Sequence, residues 1–252
     1  MNIVFLILAS VSAVSLVSLV GLFALSLKEA ILRRAIFALV SLAAGALLGD
    51  AFIHLIPETF EEVAPLPASL LLILGVLVFF ILEKFLHWHH YHGAENAMGH
   101  RHDGIHPTGY MILVSDGFHN FLDGIIIAAA YLVTIDVGVA TTIAVILHEI
   151  PQEIGDFAVL LHSGFTRGRA LFLNFLSALV AVLGALVVIL VGEAGGGVVL
   201  LLVPVAAGGF LYLASADLIP EIHKTTDLKS SLVQFVAMLS GIAAMVALLF
   251  FE

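Results

Sequence analysis

Residues 168–191 read GRALFLNFLSALVAVLGALVVILV, 24 residues in which only Arg169, Asn174 and Ser177 break an otherwise apolar run. A helix of that length, rising about 1.5 Å per residue, reaches about 36 Å and crosses a hydrocarbon core of roughly 30 Å. Similar runs recur on either side of it, separated by turn and charge clusters. They predict eight helices near 3–26, 31–57, 67–90, 109–132, 137–162, 168–191, 197–222 and 230–251. Composition agrees: of 252 residues 62% are hydrophobic and 11% charged, and the mean hydropathy is +1.17. A soluble domain carries about twice that charged fraction. The expected fold class is an all-α integral membrane protein, a single polytopic domain over residues 1–252. The first segment lacks the basic flank of a signal peptide and is too long for one, so it reads as a retained helix.

Charge sets the orientation. All nine basic residues fall in alternate connections: Lys28, Arg33 and Arg34; Lys84 and Arg101; Arg167 and Arg169; Lys224 and Lys229. By the positive-inside rule these connections face the cytoplasm. The other connections carry Glu61, Glu62, Asp136 and Glu193, so they and both termini are extracytoplasmic. The expected location is the cell (inner) membrane, multi-pass. A net charge of −10 argues against a nucleic-acid partner, and the absence of cysteine excludes disulfides and thiolate metal sites.

The string LIPE occurs at 55–58 and again at 218–221, at the ends of helices 2 and 7, which run in opposite directions in this topology. Antiparallel copies are what an inverted repeat of helices 1–3 and 6–8 around central helices 4 and 5 would leave.

Helix 4 holds Asp116, His119, Asn120 and Asp123; helix 5 holds His148, Glu149, Gln152, Glu153 and Asp156. An ionised group at the bilayer centre costs about 3 kcal/mol or more, and no lysine or arginine lies inside either span. Protons or metal cations have to supply the positive charge. A lone intramembrane His or Asn is most often packing glue, but nine polar groups on two neighbouring helices favour function. His119 and Asp123 share a face, His148, Gln152 and Asp156 form one stripe, and Glu149 with Glu153 the next. His119 and His148 both fall about 15 Å deep. Imidazole with oxygen, and no thiolate, suits Zn²⁺, Fe²⁺ or Mn²⁺. Pro151 leaves the Leu147 carbonyl without its helical partner, as expected where a polar cavity is lined.

HNFLDG at 119–124 and HEIPQEIGD at 148–156 resemble the ZIP family of divalent metal transporters. GDAFIHLIPE at 49–58, GGFLYLASADLIPEIH at 208–223 and a His-rich loop extend the likeness along the whole chain. The resemblance implies eight helices with both termini extracytoplasmic and a metal site between helices 4 and 5. Carried over, the first metal position uses His119, Asp123, His148 and Gln152, and a neighbouring one Asn120 and Glu149. The most similar subfamily has HEXPHEXGD, so Gln152 replaces an imidazole with a weaker, harder ligand. Zinc remains first, with Fe²⁺, Mn²⁺ and Cd²⁺ as further cargo and no cofactor. The first polar residue of helix 6 is Asn174 where binuclear members have an acid, so one tightly held ion is expected.

Asp50, His54 and Glu58 make a stripe on helix 2, and Asp217, Glu221 and His223 lie toward the inner end of helix 7. Together with Asp116, Glu153 and Asp156 they are expected along the ion path. The loop at 87–106 holds seven of the twelve histidines and reads as a cytoplasmic metal acceptor or sensor. Gly45 and Gly49 form a small-xxx-small step that suits packing within the bundle better than a homodimer contact, although a homodimer stays open. The expected function is zinc uptake into the cytoplasm by alternating exposure of the midplane site, the inward direction being implied by the family alone. A passive metal channel would use the same residues. An intramembrane zinc protease is disfavoured, because HEIPQ lacks the second imidazole of HEXXH and Pro151 interrupts the helix.

Overall fold

The computed structural model describes residues 2–24, 29–95, 107–194, 197–224 and 226–250. Every element among them is helical: α1 (Ile3–Val17), α2 (Val20–Ala24), α3 (Glu29–Asp50), α4 (Ile56–Glu62), α5 (Pro65–Glu95), α6 (Pro107–Val133), α7 (Ile135–His162), α8 (Arg167–Ala178), α9 (Val180–Ala194), α10 (Gly197–Tyr212), α11 (Ile219–His223) and α12 (Leu228–Leu248). Among the described residues, seven helical stretches are long and apolar enough to cross a membrane. The 28 residues of α7 are long enough but include Asp136, Glu149, Glu153 and Asp156, which keeps α7 outside that apolar set.

Several predicted helices are broken or longer than the hydropathy suggested. The first pauses at Ser18, whose hydroxyl donates to the Ser15 carbonyl, and the sixth pauses at Leu179. The second runs on to Glu62, because Pro57 sits in the first turn of α4, where its missing N–H costs no helical bond. Two π-helical turns, Ala51–Leu55 and Leu213–Leu218, join α3 to α4 and α10 to α11. Each stands just before a proline, where widening the turn accommodates the lost donor. The backbone of α5 continues to Glu95, so the first half of the predicted His-rich loop is helical, and residues 96–106 lie outside the described residues.

The bundle is built around α6 and α7. The α6 helix packs on α9 and α7, and α7 on α3 and α1, while α12 covers α3 and α5 covers α10. Only Thr134 separates α6 from α7, and its hydroxyl accepts from Val137 N–H to cap α7. The outer pairs meet backbone to backbone. A Cβ on Gly45 would fall 2.0 Å from the Met238 carbonyl oxygen, and one on Gly241 2.2 Å from that of Leu42. Gly75 and Gly208 stand in the same relation to Val205 and Leu72, at 2.1 Å each. The Gly45–Gly49 step is thus spent inside the chain, with Gly49 against Met245. Gly45→Ala should cost about 1–3 kcal/mol of overpacking and lower the melting temperature in detergent. Gly168→Ala, within a helix and with nothing within 4 Å of the new methyl, should leave it unchanged or raise it slightly.

Candidate metal centre

His119 and Asp123 stand one turn apart on α6, and His148 and Glu149 are consecutive on α7. Each of the four offers one ligand atom, all within 4.8 Å of one another. The imidazole Nε2 atoms are 3.3 Å apart. His119 Nε2 is 3.6 Å from Asp123 Oδ2 and 3.4 Å from Glu149 Oε1; for His148 Nε2 the same distances are 3.2 and 3.5 Å. Four ligands bound at about 2.0–2.1 Å in a tetrahedron sit about 3.3–3.4 Å from one another. Five of the six edges of the quartet, at 3.2–3.6 Å, have about the length such a site needs.

Orientation is also prepared. His148 Nδ1 lies 3.2 Å from the Ala144 carbonyl and donates to it, which turns the Nε2 lone pair toward the quartet. Phe210 meets the same ring edge-on, with centroids 6.1 Å apart. Asp123 and Glu149 are fully buried, and none of their carboxylate oxygens has a hydrogen-bond partner among the described residues. Two buried carboxylates facing two imidazoles sum to the charge that a dication cancels.

Other predicted site residues divide by neighbourhood. Gln152 and His119 border two cavities. One, of about 290 Å³, is also lined by Asp116, Asp156 and Asp217. The other, of about 220 Å³, passes His148 and Pro151 and reaches Glu221. Glu153 points elsewhere: it is fully buried and accepts from Asn174 Nδ2 on α8. Asn120 donates to Asp116. Asp50 and His54 pair at 3.4 Å, both buried. Glu58 is partly exposed, Glu221 pairs with Lys224, and His223 is exposed. Sequence reading did not find the role of Ser177, which donates to Asp116. Its place one turn after Asn174 on an otherwise apolar helix was the available signal.

The sequence model of the family described as ZIP Zinc transporter matches residues 2–109 and 89–249. The chain is 32% identical over 271 aligned residues to the zinc transporter ZIP13 homolog of Drosophila melanogaster, covering 82% of this chain and 75% of that protein. It is 34% identical to zinc transporter ZIP13 of Pongo abelii, over 82% of this chain and 65% of the relative. With human zinc transporter ZIP10 it shares 36% identity over 68% of this chain but 23% of that protein. A multi-pass helical membrane protein that matches this family model falls in the class of membrane transport proteins, not enzymes. The chain belongs to the ZIP zinc transporter family.

If the quartet holds the ion, zinc at about 100 times its Kd should stabilise the purified protein by about 2.7 kcal/mol. The measurement is the melting temperature with and without zinc. Asp123→Asn, which keeps the volume but removes one charge, should abolish the difference.

Proposed function

We propose that this chain carries zinc across the membrane into the cytoplasm by exposing the quartet to one side and then the other. The observation that carries this reading is the match between the spacings of His119, Asp123, His148 and Glu149 and a tetrahedral dication site. Gln152, beside His119 in both cavities, adds a fifth ligand to this position. Asn120 serves a neighbouring, weaker one, with Glu149 shared between the two. Fe²⁺, Mn²⁺ and Cd²⁺ compete, because an amide oxygen at 152 discriminates less sharply than imidazole.

The eighth span is α7, three of whose four acids are shielded from lipid while Asp136 lies in its first turn. Of its four, Glu149 and Glu153 are fully buried and Asp156 lines a cavity. An inverted repeat of helices 1–3 and 6–8 is supported by recurring detail. The interval from Leu55 to Leu218 is also that from Gly45 to Gly208, and both copies contain a π-helical turn before the proline. The same interval relates Ser15 to Ala178, and the Ser15 hydroxyl donates to the Ala178 carbonyl at 2.8 Å, as equivalent residues near a two-fold axis would.

With the basic connections cytoplasmic, the cavities that reach Asp156 and Glu221 open inward. Toward the other side Asp50 and His54 are 0% and 4% exposed, which closes the path there. The ion path then runs from Glu58, His54 and Asp50 through the quartet to Asp217, Glu221 and His223. The location is the cell membrane, with both termini outside and the His-rich stretch at 87–106 in the cytoplasm.

Uptake of radiolabelled zinc into vesicles tests the function. His119→Ala and His148→Ala should fall to background, and wild-type rates in both would exclude the proposed ligands. Gln152→His should shift preference toward Zn²⁺ over Mn²⁺. Orientation has its own test, because the chain has no cysteine. A membrane-impermeant maleimide added outside cells should label Glu61→Cys and spare Lys229→Cys.

A further inference from the structure

Asp116 lies one turn before Asn120 on α6, outside the quartet, yet it is 3% exposed and both its carboxylate oxygens are engaged. Oδ1 accepts from Asn120 Nδ2 at 2.9 Å, and Oδ2 accepts the Ser177 hydroxyl of α8. The main-chain carbonyl of Asp116 accepts from the same amide nitrogen at 3.1 Å. An amide that gives its protons to one residue has a decided orientation: the NH₂ faces Asp116 and the carbonyl is turned away. The main-chain carbonyl enforces this, since it only accepts, and a reversed amide would set oxygen against oxygen there. The Asn120 carbonyl oxygen, in a fully buried residue, has no hydrogen-bond partner among the described residues. A buried acceptor left in that state costs about 1–3 kcal/mol, and a cation would meet it. Asp123 of the quartet stands three residues further on, on the neighbouring turn.

We propose that Asp116, braced from α8 by Ser177, is a positioning residue that holds the Asn120 carbonyl oxygen toward the transported cation. The inference rests on the reading of the quartet as a metal centre. The rival role follows from its cavity: Asp116 borders the same space as His119, Gln152 and Asp156 and could touch the ion itself. The two roles differ in how mutations combine. A residue acting only through Asn120 has nothing to add once Asn120 is gone, whereas an independent ligand does.

The experiment is zinc uptake into proteoliposomes by monodisperse wild type, Asn120→Ala, Asp116→Ala, the double variant and Ser177→Ala. Asp116→Ala should raise the KM for zinc about tenfold with the maximal rate within about twofold, the usual scale for losing a group that orients a ligand. The double variant should match Asn120→Ala alone, and Ser177→Ala should move KM in the same direction by less. Effects that multiply in the double variant would overturn the proposal in favour of direct contact with the ion. A wild-type KM in Asp116→Ala would overturn it as well. Should Asp116→Ala fail to fold, Ser177→Ala, remote from the quartet, decides the matter by its KM. A wild-type KM in Asn120→Ala removes the ligand being positioned, and His119→Ala and His148→Ala then judge the quartet separately.

Discussion

Two carboxylates buried against two imidazoles, with no lysine or arginine in either helix, are the constraint around which this molecule is organised. Asp123 and Glu149 have no exposure to solvent, and the groups that face them are two imidazoles rather than a permanently charged lysine or arginine. Such a pair persists only where protons on the imidazoles or a metal cation answer its charge and where the surrounding protein keeps lipid away. That is the service α1, α3, α9 and α10 perform by packing on α6 and α7. It also explains why the central helices present their polar groups inward and to each other.

The outer helices obey a different rule. Lipid tails are as apolar as leucine, so helices there are held by close approach rather than by the hydrophobic effect. Gly45 with Gly241, and Gly75 with Gly208, let two helix pairs touch backbone to backbone. The polar breaks in α1–α2 and α8–α9 are stitched across by Ser15 and by Asn174, whose amide also reaches the Ser18 carbonyl at 3.5 Å. Small residues and a few hydroxyls therefore do in this bundle what large side chains do in a soluble core.

Much of this was legible in the sequence, and the exceptions have physical reasons. Hydropathy located the helices because burial in lipid demands long apolar runs, and four-residue spacing put His119 beside Asp123. The meeting of His148 with His119 was expected from their matching positions, each about 15 Å along its own predicted helix. Pro57 looked like a helix end but serves as a helix start, a distinction that depends on the π-helical turn before it. Glu149 and Glu153 share a stripe on paper, yet one faces α6 and the other α8, because α7 is wedged between them. Pairings such as Ser177 with Asp116 join residues far apart in the chain, and no local pattern announces them.

The single residue between α6 and α7 has a mechanical consequence. With Thr134 as the whole connection, and its hydroxyl fastened to the next helix, neither ligand-bearing helix can slide far along the other. Whatever the peripheral helices do, the two pairs of side chains that make the quartet are yoked and travel as one. In the carrier proposed above, the geometry that recognises the ion would thereby be insulated from the motion that releases it.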